Sequence, residues 1–114
     1  MNWDAAFGFC ARLGGHLAVI NDVQEYYLLH RMWLEYYAKH ENITGAWVDG
    51  TDHVMEGTWV CESINAPCPY SRWGPSQPDN GGGIEDCQSF WGDIRGLNDQ
   101  DCQIAYPAMC EFGY

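Results

Sequence analysis

Six cysteines in 114 residues, spread from Cys10 to Cys110, constrain this chain more than any other feature. In so short a chain they read as a disulfide framework made in an oxidising compartment. Six cysteines allow fifteen pairings, and spacing does not choose among them. Zinc is the competing use of cysteine. There is no Cys-x-x-Cys, and His16, His30, His40 and His53 are scattered, which disfavours it.

The length fits one domain. Charged residues make up 18% of the chain and aromatics 15%, so it can bury a core, and the composition disfavours disorder. Five Lys and Arg stand against 16 Asp and Glu, a net charge of -11. Nucleic acid and anionic membrane are therefore poor partners. No apolar stretch approaches membrane-spanning length and no segment reads as a signal peptide. Asn42-Ile43-Thr44 is a glycosylation sequon, which fits a secreted protein.

The first half reads as helix. Trp3, Ala6, Phe7 and Cys10 recur at helical spacing, and Gly14-Gly15 ends that helix. Asn21 is the expected N-cap of a second helix, with Gln24 as its N3 partner. Val23, Tyr26, Tyr27, His30, Trp33, Leu34 and Tyr37 form a stripe on that helix, read as a core face rather than a partner surface. The second half reads as strand and loop. Strands are expected at Ala46 to Val48, Thr58 to Cys61, Cys87 to Phe90 and Ala108 to Phe112. The stretch from Ser63 to Gly83 holds four of the five prolines, and irregular connections of that length are usually functional.

Oxygen donors crowd the same region. Gln77-Pro78-Asp79, Glu85-Asp86 before Cys87, and Asn98-Asp99 before Cys102 surround a Gly-rich loop and a cysteine pair. Asp79, Glu85 and Asp99 with the amides of Gln77 and Asn98 suit Ca²⁺, a hard cation that takes oxygen ligands. A cis Gln77–Pro78 bond would turn the flanking side chains to one side of the loop. Nothing reads as a nucleophile–base pair. The carboxylates are better used as metal ligands than as the acid pair of a glycoside hydrolase, so an enzyme is not expected.

The ordered set of motifs resembles the C-type lectin domain family across nearly the whole chain. It runs from Trp3-Asp4-Ala5-Ala6, Cys10 and Gly14-Gly15-His16-Leu17-Ala18 through Ala46-Trp47-Val48-Asp49-Gly50 and Glu56-Gly57-Thr58-Trp59. Trp73, Gln77-Pro78-Asp79, Glu85-Asp86-Cys87, Asn98-Asp99, Cys102 and Cys110-Glu111-Phe112 follow in family order. The resemblance implies an α+β fold over residues 1–114. Two helices would pack on small antiparallel sheets with a long calcium-binding loop, stapled by Cys10–Cys110, Cys87–Cys102 and Cys61–Cys68. Family members usually carry an N-terminal strand before the first helix that pairs with the C-terminal strand. Here that strand is short or missing, and an unpaired edge at Ala108 to Phe112 would be an association hazard.

The resemblance also assigns the principal Ca²⁺ site to Gln77, Asp79, Glu85, Asn98 and Asp99. These residues would bind sugar by giving two vicinal hydroxyls a place on the ion. A second Ca²⁺ site of some members falls on Asp52, Glu56, Asn80, Glu85 and Asp86. The amide–Pro–acid order of Gln77-Pro78-Asp79 resembles galactose-type members. Strong galactose binders usually follow it with an aromatic ring, where this chain reads Asn80-Gly81-Gly82-Gly83. Trp91 and Tyr70 are the rings that another loop would supply. The family's Trp-Asn-Asp reads Leu97-Asn98-Asp99, with Leu97 as the apolar anchor. The function implied is calcium-dependent binding of galactose or GalNAc glycans by a secreted lectin, with microbial surface glycans in innate immunity as targets. The alternative is a lectin-like domain that binds a protein or ice through the calcium loop.

Overall fold

The computed structural model describes residues 1–70, 73–74, 85–93 and 95–112. The fold is α+β. Its elements in chain order are α1 (Trp3–Arg12), β1 (His16–Leu17), α2 (Val23–Lys39), β2 (Gly45–Thr51), β3 (Val60–Cys61), β4 (Ala66–Pro67), β5 (Glu85–Trp91), β6 (Asn98–Asp101) and β7 (Cys110–Glu111).

The Asn2 carboxamide caps α1 by accepting the Ala5 N–H at 2.9 Å. The helix ends where Gly14 takes φ +87, and the Gly15 N–H donates to the Cys10 carbonyl at 2.9 Å. The second helix starts one residue later than the sequence suggests. Asp22, not Asn21, is its N-cap, and the Asp22 carboxylate accepts the Glu25 N–H at 2.8 Å. Glu25, not Gln24, reaches back, accepting the Asn21 N–H at 3.3 Å. A carboxylate at the cap also suits the positive helix end better than an amide.

The stripe on α2 divides. Tyr26, Leu29 and Trp33 are buried, whereas Val23 and Tyr27 are exposed. Leu29 takes the core position because a rotation of the helix face by one residue favours 26, 29 and 33.

Five strands form one sheet in the order β4-β3-β2-β5-β6, and β1 pairs with β7 in a second. Strand β2 is buried along its whole length and alternates between two cores. Ala46 and Val48 face α2, joining Tyr26, Trp33, Phe90 and Leu97. Trp47 faces α1, joining Trp3, Ala6, Leu17 and Tyr106. The Trp47 indole N–H donates to the Met1 carbonyl at 3.0 Å, and that of Trp3 to the Val48 carbonyl at 3.0 Å.

The three disulfides are Cys10–Cys110, Cys61–Cys68 and Cys87–Cys102. Cys10–Cys110 spans 100 residues, which stabilises by roughly 4 to 5 kcal/mol on the chain-entropy model. Cys61–Cys68 closes the β3–β4 hairpin, so part of the stretch expected to be irregular is paired strand. The Ala108 to Phe112 segment is not left unpaired. Glu111 and Cys110 lie opposite His16 and Leu17, and the Met109 N–H donates to the Trp47 carbonyl at 3.0 Å.

Candidate functional site

The turn after β2 gathers three carboxylates. The Asp52 N–H donates to the Asp86 carbonyl at 3.1 Å, which holds the start of the turn against β5. Asp52 Oδ2 accepts the Gly57 N–H at 2.9 Å, with Gly57 at φ +83. That bond folds the chain back and sets Glu56 beside Asp52 and Asp86. One oxygen from each of the three carboxylates lies within 4.8 Å of the others.

Asp52 is 2% exposed, and its Oδ1 meets no donor among the described residues. A buried carboxylate oxygen without a donor is costly. Contact with the Asp52 carboxylate, together with lost hydration and the charges of Asp52 and Asp86, pushes Glu56 up to about 7. Burial first, and then Asp52, raises Asp86 as well. Glu56 and Asp86 therefore hold a proton more readily than ordinary carboxylates, and a cation meets the same need. Two oxygens on opposite sides of a calcium ion lie at most about 5 Å apart, so the spacing fits that ion.

The other sequence-nominated residues are placed as follows. Glu85 opens β5 and is half-buried, next to Asp86. Asn98 and Asp99 open β6 and are buried. In the β5–β6 register, Asn98 faces Ser89, Asp99 faces Gln88 and Glu85 faces Asp101. Glu85 is thus offset from Asp99 by two residues of β6, about 7 Å along the hairpin. Gln77, Asp79 and Asn80, with the Gln77–Pro78 bond, lie outside the described residues. Leu97 is fully buried and its carbonyl accepts the Gly74 N–H at 2.8 Å, so an apolar anchor precedes Asn98. Of the two rings considered for stacking, Trp91 is exposed, and Tyr70 packs toward Tyr26 at 6.3 Å between ring centroids.

Sequence reasoning missed two residues here. His53 Nε2 lies 3.8 Å from the sulfurs of both Cys87 and Cys102. Those sulfurs are joined in a disulfide, so they are not thiolate ligands. Asp49, 2% exposed, accepts the Glu62 N–H at 2.9 Å and the Ser63 N–H at 2.8 Å. It is a structural carboxylate that pins the segment after β3 to β2. An acidic residue inside an otherwise apolar buried strand was the signal available for it.

The family model described as the Lectin C-type domain matches residues 1–112. Perlucin of Haliotis laevigata is 32% identical over 108 residues, covering 93% of this chain and 66% of perlucin. The hemolymph lipopolysaccharide-binding protein of Periplaneta americana is 34% identical over 115 residues, covering 96% of this chain and 44% of that protein. The chain thus spans less than two thirds of these relatives' length. Among solved structures, the cow C-type carbohydrate-recognition domain of CD23, determined in the presence of a GlcNAc2Man3 oligosaccharide, superposes with a TM-score of 0.79. It is 25% identical, and the match covers 100% of this chain and 82% of that one. With two helices, small antiparallel sheets, three disulfides and a family match over nearly its full length, the chain belongs to the C-type lectin domain family.

Proposed function

We propose that residues 1–114 form one carbohydrate-recognition domain that binds glycans through Ca²⁺. The observation that carries this reading is the Asp52–Glu56–Asp86 trio around a buried oxygen that no donor among the described residues reaches. Glu85 and, from the loop outside the described residues, Asn80 complete this second Ca²⁺ set. The principal set is Gln77, Asp79, Glu85, Asn98 and Asp99. When bound there, the ion supplies two coordination positions for vicinal hydroxyls of a sugar. The carboxylates of Asp79, Glu85 and Asp99 accept the hydroxyl protons, and the amide N–H groups of Gln77 and Asn98 donate. The amide–Pro–acid order points to galactose or GalNAc. Binding, rather than catalysis, is the role of these carboxylates.

A lipopolysaccharide-binding relative supports microbial surface glycans as targets, and the disulfide framework supports secretion. The test is a glycan array probed in Ca²⁺ and again in EDTA. A galactose or GalNAc signal that EDTA abolishes is the expected result. A Ca²⁺-dependent mannose signal keeps the lectin and discards the motif's specificity. No Ca²⁺-dependent signal on any glycan overturns the reading in favour of a protein or ice ligand.

A further inference from the structure

The outer side of α2 carries a cleft that none of the calcium residues touches. It measures about 340 Å³ and is lined by Tyr26, Tyr27, His30, Leu34 and Arg95. That volume lies at the small end of ligand pockets, which run from about 300 to 1,000 Å³, and suits a single sugar ring.

Its wall is aromatic. The Tyr26 and His30 rings are nearly parallel, 12° apart with centroids at 5.5 Å. Tyr27 stands edge-on to Tyr26 at 66° and 5.4 Å, and is 54% exposed. A tyrosine at such a place presents an apolar ring body with a polar tip, which suits the C–H face and the hydroxyls of a sugar. Leu34 adds an apolar floor.

Arg95 supplies the charge. It sits in the β5–β6 turn, exposed, and has no ion pair or hydrogen bond among the described residues. In a chain with 16 carboxylates and five Lys and Arg, an arginine with no acidic partner beside an aromatic cleft is conspicuous. Guanidinium binds carboxylate through two parallel hydrogen bonds and stacks on aromatic faces. The surrounding net charge of -11 selects against a polyanion. Screening over about 8 Å at physiological salt still permits one carboxylate on an otherwise neutral ring.

We propose that the Tyr26–Tyr27–His30–Leu34–Arg95 cleft is a second, calcium-independent sugar site that takes a carboxylated monosaccharide unit. Arg95 holds the carboxylate, and Tyr27 and His30 face the ring. Arg95 lies three residues before Asn98 on one hairpin, so an acidic branch would engage the domain separately from the calcium loop.

The test is an ¹⁵N NMR titration of the whole protein in excess EDTA with methyl galacturonide, methyl galactoside and sodium acetate. The expected result is saturable shifts at Tyr27, His30 and Arg95 with the galacturonide. The galactoside and acetate should each be at least about fivefold weaker. Arg95→Gln and Tyr27→Ala should abolish the galacturonide response while leaving circular dichroism and the Ca²⁺ response of the calcium loop unchanged. No shift with galacturonide, equal shifts with acetate, or an undiminished response in Arg95→Gln would each overturn the site. Because the sugar titrations are run in EDTA, failure of the calcium-dependent reading leaves this result interpretable.

Discussion

Gly57 divides the Asp52 carboxylate in two: its N–H takes Oδ2 at 2.9 Å, and Oδ1 is left buried with no donor among the described residues. One backbone bond therefore both shapes the turn and creates the demand for a positive charge. The same bond closes the turn that brings Glu56 into contact with the Asp52 carboxylate.

The trio makes stability depend on pH and on calcium together. Glu56 titrates near 4.5 when unfolded and at about 7 in the fold. Its folded pKa is raised, so its contribution is fully present below 4.5 and is lost as pH rises to about 7. In EDTA, the melting temperature should fall across this window. Calcium binds the deprotonated form, so it should raise the melting temperature more at pH 7.5 than at pH 5. Calorimetry at the two pH values, with and without EDTA, checks this. An equal calcium effect at both would remove the trio from the metal site.

Glu56→Gln separates the two roles. Removing one negative charge relieves the crowding around Asp52, so the apo protein should lose most of its stability slope between pH 4.5 and about 7. Fewer anionic ligands weaken calcium binding, here on the order of tenfold. Calcium titration followed by tryptophan fluorescence reads the second effect. Unchanged affinity would mean that Glu56 is a solvated turn residue.

On the proposed calcium-dependent reading, the order of donors around Pro78 is what selects the hydroxyls. Exchanging Gln77→Glu and Asp79→Asn gives the acid–Pro–amide order with the same net charge. Preference should move from galactose toward mannose by on the order of tenfold, since matched donors and acceptors become mismatched. Inhibition of glycan binding by the two free sugars measures the ratio. An unchanged ratio would place specificity elsewhere in the loop.

Trp47 holds the lower core. It is fully buried, donates to the Met1 carbonyl and packs on Tyr106 at 5.0 Å between ring centroids. Trp47→Ala should cost about 3 to 5 kcal/mol, read by urea denaturation with the disulfides intact. A loss below about 1 kcal/mol would show that the disulfides, not this ring, carry the closure.

Much of the fold could be read in the sequence because its strongest elements are periodic. The Trp3, Ala6 and Cys10 spacing gives α1 directly, and Ala46 to Val48 lies at the heart of β2. What was misread turned on single-residue phase. Asn21 and Asp22 are both good caps, and only tertiary docking of Tyr26, Leu29 and Trp33 decides between them. Tyr27 and Val23 look like core by composition, yet the helix has more apolar positions than one face can bury. Cysteine spacing leaves the pairing open, and the contact of β1 with β7 brings Cys10 to Cys110. At the candidate site, the carboxylates announce a metal by their number. The sequence cannot announce that Asp49 is spent on two backbone N–H groups while Asp52 keeps an oxygen in reserve.

No described residue between 62 and 86 belongs to the buried hydrophobic core, which draws on positions 3–48, Cys61, Cys87, Phe90, Leu97 and Tyr106. The disulfide Cys10–Cys110 ties the first helix to the last strand. The 62–86 stretch still carries one end of a disulfide and one strand of the sheet, so it is anchored at Ala66 to Cys68. Positions of that stretch other than Ala66, Pro67, Cys68, Tyr70, Trp73, Glu85 and Asp86 are the ones to rewrite for a new ligand, since those seven pair, bond, pack on the core or join the carboxylate cluster. A library of variants confined to those remaining positions should yield mostly folded proteins with divergent tastes.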